Sequence, residues 1–134
     1  MPEEGLGFKP TPEIRSFAEQ MLHIASTNYV FASVAFGKEN PYDNAKGKDP
    51  EKRDDLKQSK PALRKFVLDS YDFMITSVKG LDNSRVDEPV EFFKTKMPRS
   101  LLLAKAMEHH AHHRGQTTIY LRLKGVTPPS ERLF

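Results

Sequence analysis

Cysteine is absent from this 134-residue chain, and that one omission removes disulfides, thiolate metal ligands and cysteine nucleophiles together. A structural zinc finger is thereby excluded, and the absence fits the reducing cytoplasm in which we expect the protein to work. Also missing is any apolar run near the ~20 residues that span a bilayer. The N-terminal stretch MPEEGLGFKP has no signal-peptide core. The expectation is a soluble, intracellular chain with no membrane partner. No internal repeat appears, and no convincing strand run. What is present, 37% apolar and 29% charged residues, is the ordinary balance of one globular domain, here taken as residues 1–134.

Charge of either sign is not extreme. The formal net charge is +3, with the excess in the last third. From Lys94 onward, eight basic residues (Lys94, Lys96, Arg99, Lys105, Arg114, Arg122, Lys124, Arg132) face two acids, Glu108 and Glu131. A basic stretch is the first requirement of a nucleic-acid footprint. These residues are dispersed, however, and no aromatic–basic interleaving accompanies them. A solvated basic face is the better reading, and nucleic acid is not expected as a partner.

Three long helical patterns account for most of the chain. Ser16-Phe17-Ala18-Glu19 is a capping box that opens a helix running to Phe36, with Gly37 as its stop. This helix is apolar around much of its circumference, which calls for burial on more than one side. Residues 38–58 are polar and interrupted by Pro41, Gly47 and Pro50, a connection with room for a turn of helix near Asp54. Ser59 with Pro61 opens the second long helix. Its inward positions are Leu63, Phe66, Val67, Ser70, Met74, Ser77, Val78 and Leu81. A second connection covers residues 83–97, where Pro89 to Phe93 form an apolar flap over the bundle. The third helix runs from near Pro98 to Lys124 and ends at Gly125. The fold class is therefore all-α, an up-down helical bundle of three long helices. Three broad apolar faces leave one side of such a bundle uncovered, so a homodimer is expected.

The chemistry sits on the third helix. Four histidines fall in the string EHHAHH: His109, His110, His112 and His113. Residues four apart on a helix share a face, so His109 and His113 can grip one ion. They belong to a stripe with Leu102, Ala106, Gln116 and Tyr120, whereas His110 lies on a flanking face and His112 points to solvent. The one remaining histidine, His23, lies on the first helix and can complete a triad. Three neutral imidazoles around a divalent ion leave positions open for water or substrate, the coordination pattern of catalysis more than of structure. Two familiar alternatives fail. The zincin motif H-E-x-x-H has His110 where its glutamate belongs. The di-iron pattern Glu-x-x-His has Gln20 three residues before His23, and His109 three before His112.

Two stretches, HHAHHRGQTTIYLRLKGVTPP and FKPTPEIRSFAEQMLHIASTNYVFASVAFGKENP, resemble the signature segments of the DinB/YfiT-like family of metal-dependent helical bundles. The resemblance covers about Phe8 to Pro129 and places the family's histidine triad on His23, His109 and His113. It implies a four-helix bundle whose first helix precedes the FKPTPEIRS segment, so that this chain lacks it. It also sets Arg114-Gly115 inside the last helix, where a glycine costs about 1 kcal/mol relative to alanine and close helix packing would justify it. Zinc, nickel or a similar ion is the implied cofactor. Some relatives are S-transferases that use bacillithiol- or mycothiol-type thiols, which makes a thiol and a small-molecule substrate the expected partners and leaves a hydrolase as a further option. Asn28, Gln116 and Tyr120 are the expected pocket-lining residues, and no catalytic residue is assigned. The alternative is a non-catalytic metal- or ligand-binding bundle acting in a stress response.

Overall fold

The structure, a computed structural model, describes residues 1–43 and 46–131. Arg132, counted above in the basic stretch, lies outside them. Four helices carry the fold: α1 (Phe17–Phe36), the short α2 (Asp54–Gln58), α3 (Lys60–Lys79) and α4 (Arg99–Leu123). A hairpin of β1 (Pro89–Phe92) and β2 (Thr95–Pro98) precedes α4.

The capping chemistry reads as the sequence dictates. The Glu19 backbone N–H donates to Ser16 Oγ, and the Ser16 N–H donates to Glu19 Oε2 at 2.7 Å. Gly37 ends α1 in the left-handed region at φ 66°. Ser59 caps α3, with Pro61 in its first turn. The polar connection carries a 3-10 turn at Pro50–Lys52 ahead of α2.

Two clusters form the core, one toward each end of α1. Ala18, Leu22, Ala25 and Tyr29 of α1 meet Leu6, Leu56, Leu63, Phe66 and Val67. Phe31 and Ala35 meet Leu102 and Ala106 of α4, covered by Val90 and Phe92. The contacts fix the helix directions. Asn28 reaches Ser70, and Lys38 lies over the Phe73 ring, so α1 and α3 advance together. By contrast, His23 meets His109 and Tyr120 meets Arg15, so α4 runs against α1. A connection of some 20 residues between α1 and α3 is what this parallel pairing requires, because the chain must travel back along about 30 Å of helix.

The structure corrects three expectations. The apolar flap is a hairpin, although the sequence shows no strand. Its two-residue turn holds Phe93 and Lys94 at φ 46° and 64°, where Asn-Gly would have been the recognisable signal. Val78, assigned inward, is 45% exposed. Arg99, assigned to the basic face, is buried: it donates to Ala35 O and Arg85 O and pairs with Glu88, tying the hairpin to α1.

Gly115 also departs from expectation. A Cβ there would meet nothing within 4 Å, so helix packing does not hold the glycine in place. Gly115→Ala is therefore expected to stabilise the protein by about 0.5–1 kcal/mol. A urea midpoint unchanged or lowered in this variant would show a constraint on the glycine that the packing lacks.

Candidate metal centre

His23 sits near the middle of α1, with Gln20 and Thr27 at helical spacing on the same face. α4 lies antiparallel across that face and brings His109 and His113 over it. One ligand nitrogen from each of these three rings falls within 4.8 Å of the others. The Nε2 atoms of His23 and His109 are 3.2 Å apart. Two metal–nitrogen bonds of about 2.0–2.1 Å at a tetrahedral angle would set their nitrogens about 3.4 Å apart, so the His23–His109 pair has the spacing of two ligands on one ion such as zinc.

The outer nitrogen of each ring is held by an acceptor. His23 Nδ1 donates to Glu51 Oε1 at 2.7 Å. His113 Nδ1 donates to Gln20 Oε1 at 2.9 Å and Gln116 Oε1 at 3.0 Å. His109 Nδ1 approaches Thr27 Oγ1 at 3.4 Å, and that hydroxyl already donates to the His23 carbonyl. A proton on each Nδ1 would leave the three Nε2 lone pairs for a common cation. Partners of this kind fix tautomer and orientation at metal-ligating histidines generally.

The electrostatics agree. Burial, followed by the charges of His113 and His23, lowers His109 to about 4, and burial with His23 and His112 lowers His113 to about 4. Both rings are neutral, ligand-competent bases at neutral pH. Burial alone would raise the Glu51 carboxyl, but its hydrogen bond to His23 and the nearby Arg15 override that and hold it below the usual range. Glu51 stays an anion facing His23, with Arg15 Nε 3.3 Å from its other oxygen.

An open cleft leads to this cluster, lined by Lys9, Arg15, Glu51, His112, His113 and Gln116 among others. Its rim is zwitterionic, since Lys9 pairs with Glu19 and Arg15 with Glu51. Of the three residues expected to line a pocket, Gln116 is at this cleft. Tyr120 is buried behind it, with its hydroxyl donating to Arg15 O at 2.6 Å. Asn28 is on another side of α1, bonded to Ser70 and lining a separate apolar groove. Sequence reasoning missed Gln20, Thr27 and Glu51. Helical spacing around His23 would have found the first two. Glu51, in the polar connection, carries no such signal.

Comparison with known proteins follows the same line. The model of the DinB family matches residues 1–132. Two uncharacterized proteins of Bacillus subtilis (strain 168) are similar in sequence. YrdA is 34% identical over 74 residues, covering 52% of this chain and 44% of its own length. YjoA is 28% identical over 124 residues, covering 90% of this chain and 74% of its own. The chain thus spans less than half of the first relative. In three dimensions it is similar to a DinB-like protein from Bacillus cereus, with TM-score 0.80, 20% identity and coverage of 98% of this chain and 83% of that one. It is likewise similar to the DinB-like YjoA structure from Bacillus subtilis, with TM-score 0.72, 23% identity and coverage of 99% and 85%. Likeness at these identities establishes the fold.

Proposed function

The chain belongs to the DinB family, and on that premise we propose that His23, His109 and His113 hold one divalent ion, zinc or nickel, at the floor of a substrate cleft. The observation that carries this reading is the meeting of three rings: one ligand nitrogen of each lies within 4.8 Å of the others, and each Nδ1 lies against Glu51, Thr27 or Gln20. Neutral imidazoles suit borderline ions, whereas magnesium and calcium prefer oxygen.

The reaction we favour is thiol S-transfer with a low-molecular-weight thiol of bacillithiol or mycothiol type, with hydrolysis as the alternative chemistry. A bound ion would supply Lewis acidity that lowers the pKa of a thiol or water. This chain's own residues do the rest. Glu51 holds the His23 ring and adds negative charge behind it. Gln20 and Gln116 fix His113. Lys9, Arg15 and Glu13 at the cleft supply charges of both signs for a small polar substrate.

Elemental analysis of the purified protein, paired with thiol consumption against an electrophile, tests the proposal. About one ion per chain and turnover that vanishes with chelator and returns with zinc or nickel are expected. Ion uptake without turnover would support the non-catalytic binding bundle instead. Catalysis surviving replacement of all three histidines would overturn the metalloenzyme reading.

A finer prediction concerns Glu51. Glu51→Gln keeps the shape and removes the charge, and a partner of this kind is worth about 10–100-fold in metal affinity. Chelator competition should show a loss in that range with the fold intact. An unchanged affinity would mean that Glu51 does not support His23 as a ligand.

A further inference from the structure

Arg15 lines the metal cleft from a fixed base. Its backbone carbonyl accepts from the Tyr120 hydroxyl of α4 at 2.6 Å, and the next residue, Ser16, is locked in the capping box that opens α1. The side chain itself is 41% exposed. A guanidinium carries five N–H donors. Among the described residues only the Nε donor meets a protein acceptor, Glu51 Oε2 at 3.3 Å. The fork of two terminal nitrogens is left for something else. Lys9, the other cation of the cleft, is already engaged: its Nζ lies 3.3 Å from Glu19 Oε2, the oxygen that also receives the Ser16 N–H.

Taking the metal site proposed above as given, we infer that the small molecule bound there carries a carboxylate, and that the Arg15 fork receives it. A planar carboxylate accepts two parallel N–H bonds from such a fork, which a lysine cannot offer. Phosphate also suits a guanidinium, and charge decides between them. Lys9 and Arg15 share the cleft with Glu13, Glu19 and Glu51. Two cations against three carboxylates leave one net negative charge, which a divalent ion reverses to one net positive. A dianionic phosphate would overshoot that surplus, whereas a single carboxylate balances it.

The anchor is tied to the ion as well. Glu51 accepts from His23 Nδ1 through Oε1 at 2.7 Å and from Arg15 Nε through Oε2 at 3.3 Å. One side chain thus joins a ligand ring to the anchor, and Arg15 cannot shift far without giving up its hold on Glu51. A reacting group on the ion and a carboxylate on Arg15 are held at a set separation. The cleft therefore selects its substrate by length as well as by charge, which is the use of an arginine clamp in orienting a reactant.

The test is calorimetric titration of the zinc-loaded full chain with straight-chain mercaptoalkanoates, from propionate to hexanoate, each beside its own carboxamide. Sulfur occupies the ion in both series, so only the anchored end differs. One length should bind about 10- to 100-fold more tightly than its carboxamide, the effect of a charged hydrogen-bonded pair. Arg15→Gln should erase that preference and leave the carboxamide's affinity as it was. Zinc affinity of the variant, read by chelator competition, should not fall, because the change removes a positive charge from beside the ion. Equal binding of acid and amide at every length overturns the inference. So does a preference for the acid that persists in Arg15→Gln, which would put the carboxylate on the ion itself. A parent chain that takes up no zinc fails at the chelator step, and there it is the metal site that falls, with the anchor following from it.

Discussion

Replacing His113 with alanine should weaken zinc or nickel binding by about two to three orders of magnitude. Protein sites for such ions reach on the order of 10 kcal/mol at neutral pH, and one ligand in three carries about 3–4 kcal/mol of that, or roughly 200- to 1000-fold. The ring is also the acceptor-locked member of the set, buried at 7% exposure between Gln20 and Gln116. Its loss removes both the donor and the reason those amides face it. Titration against a chromogenic chelator measures the effect, with circular dichroism as the check on folding. His112→Ala is the matched control: that ring is exposed and its Nε2 contacts Gln116 at 3.1 Å, so affinity should move by less than about tenfold. If His113→Ala binds the ion as tightly as the parent, the triad is not the site.

The largest stability effect should come from Leu22→Ala. Leu22 is fully buried and lies one residue before His23, facing the α3 side of α1 while the histidine faces α4. Truncating a fully buried leucine costs about 2–5 kcal/mol, through lost transfer free energy and the cavity left behind. Against a total of about 5–15 kcal/mol for a domain, that is a large share. Urea unfolding should show a midpoint lowered accordingly at unchanged slope, and a loss under about 1 kcal/mol would mean the core closes around the gap. Since the triad is assembled from α1 and α4, the variant should keep zinc affinity wherever it remains folded. A proportionate loss of affinity would show that the α1–α3 core also positions His23.

Much of this architecture was legible from local chemistry. Ser16 with Glu19, Gly37, and Ser59 with Pro61 each carry a backbone requirement in their own side chains, so the ends of α1 and the start of α3 follow without any tertiary information. The meeting of three histidines was legible for a similar reason. Histidines four apart must share a helix face, and only His23 was left to complete a set of three. The hairpin was not legible, because Phe93 and Lys94 reach positive φ through packing of Val90 and Phe92 on Phe31 and Leu102, not through a preference of their own. Nor was the direction of α3. A 20-residue polar connection permits either sense, and the choice is made by contacts such as Asn28 with Ser70. Arg99 illustrates the same limit for charge: its place in a basic stretch gave no hint that carbonyls of Ala35 and Arg85 would receive it.

Two of the three proposed ligands and two further imidazoles are packed into five consecutive positions, His109 to His113, while the third proposed ligand is His23, 86 residues before His109. A denatured or truncated polypeptide therefore keeps most of its chelating nitrogens in one short stretch, much as an affinity tag does. Retention on immobilised nickel would report that local string and say nothing about the native pocket. The same unfolded-state affinity subtracts from whatever thermal protection an added ion gives, so melting shifts would understate the affinity of the proposed site.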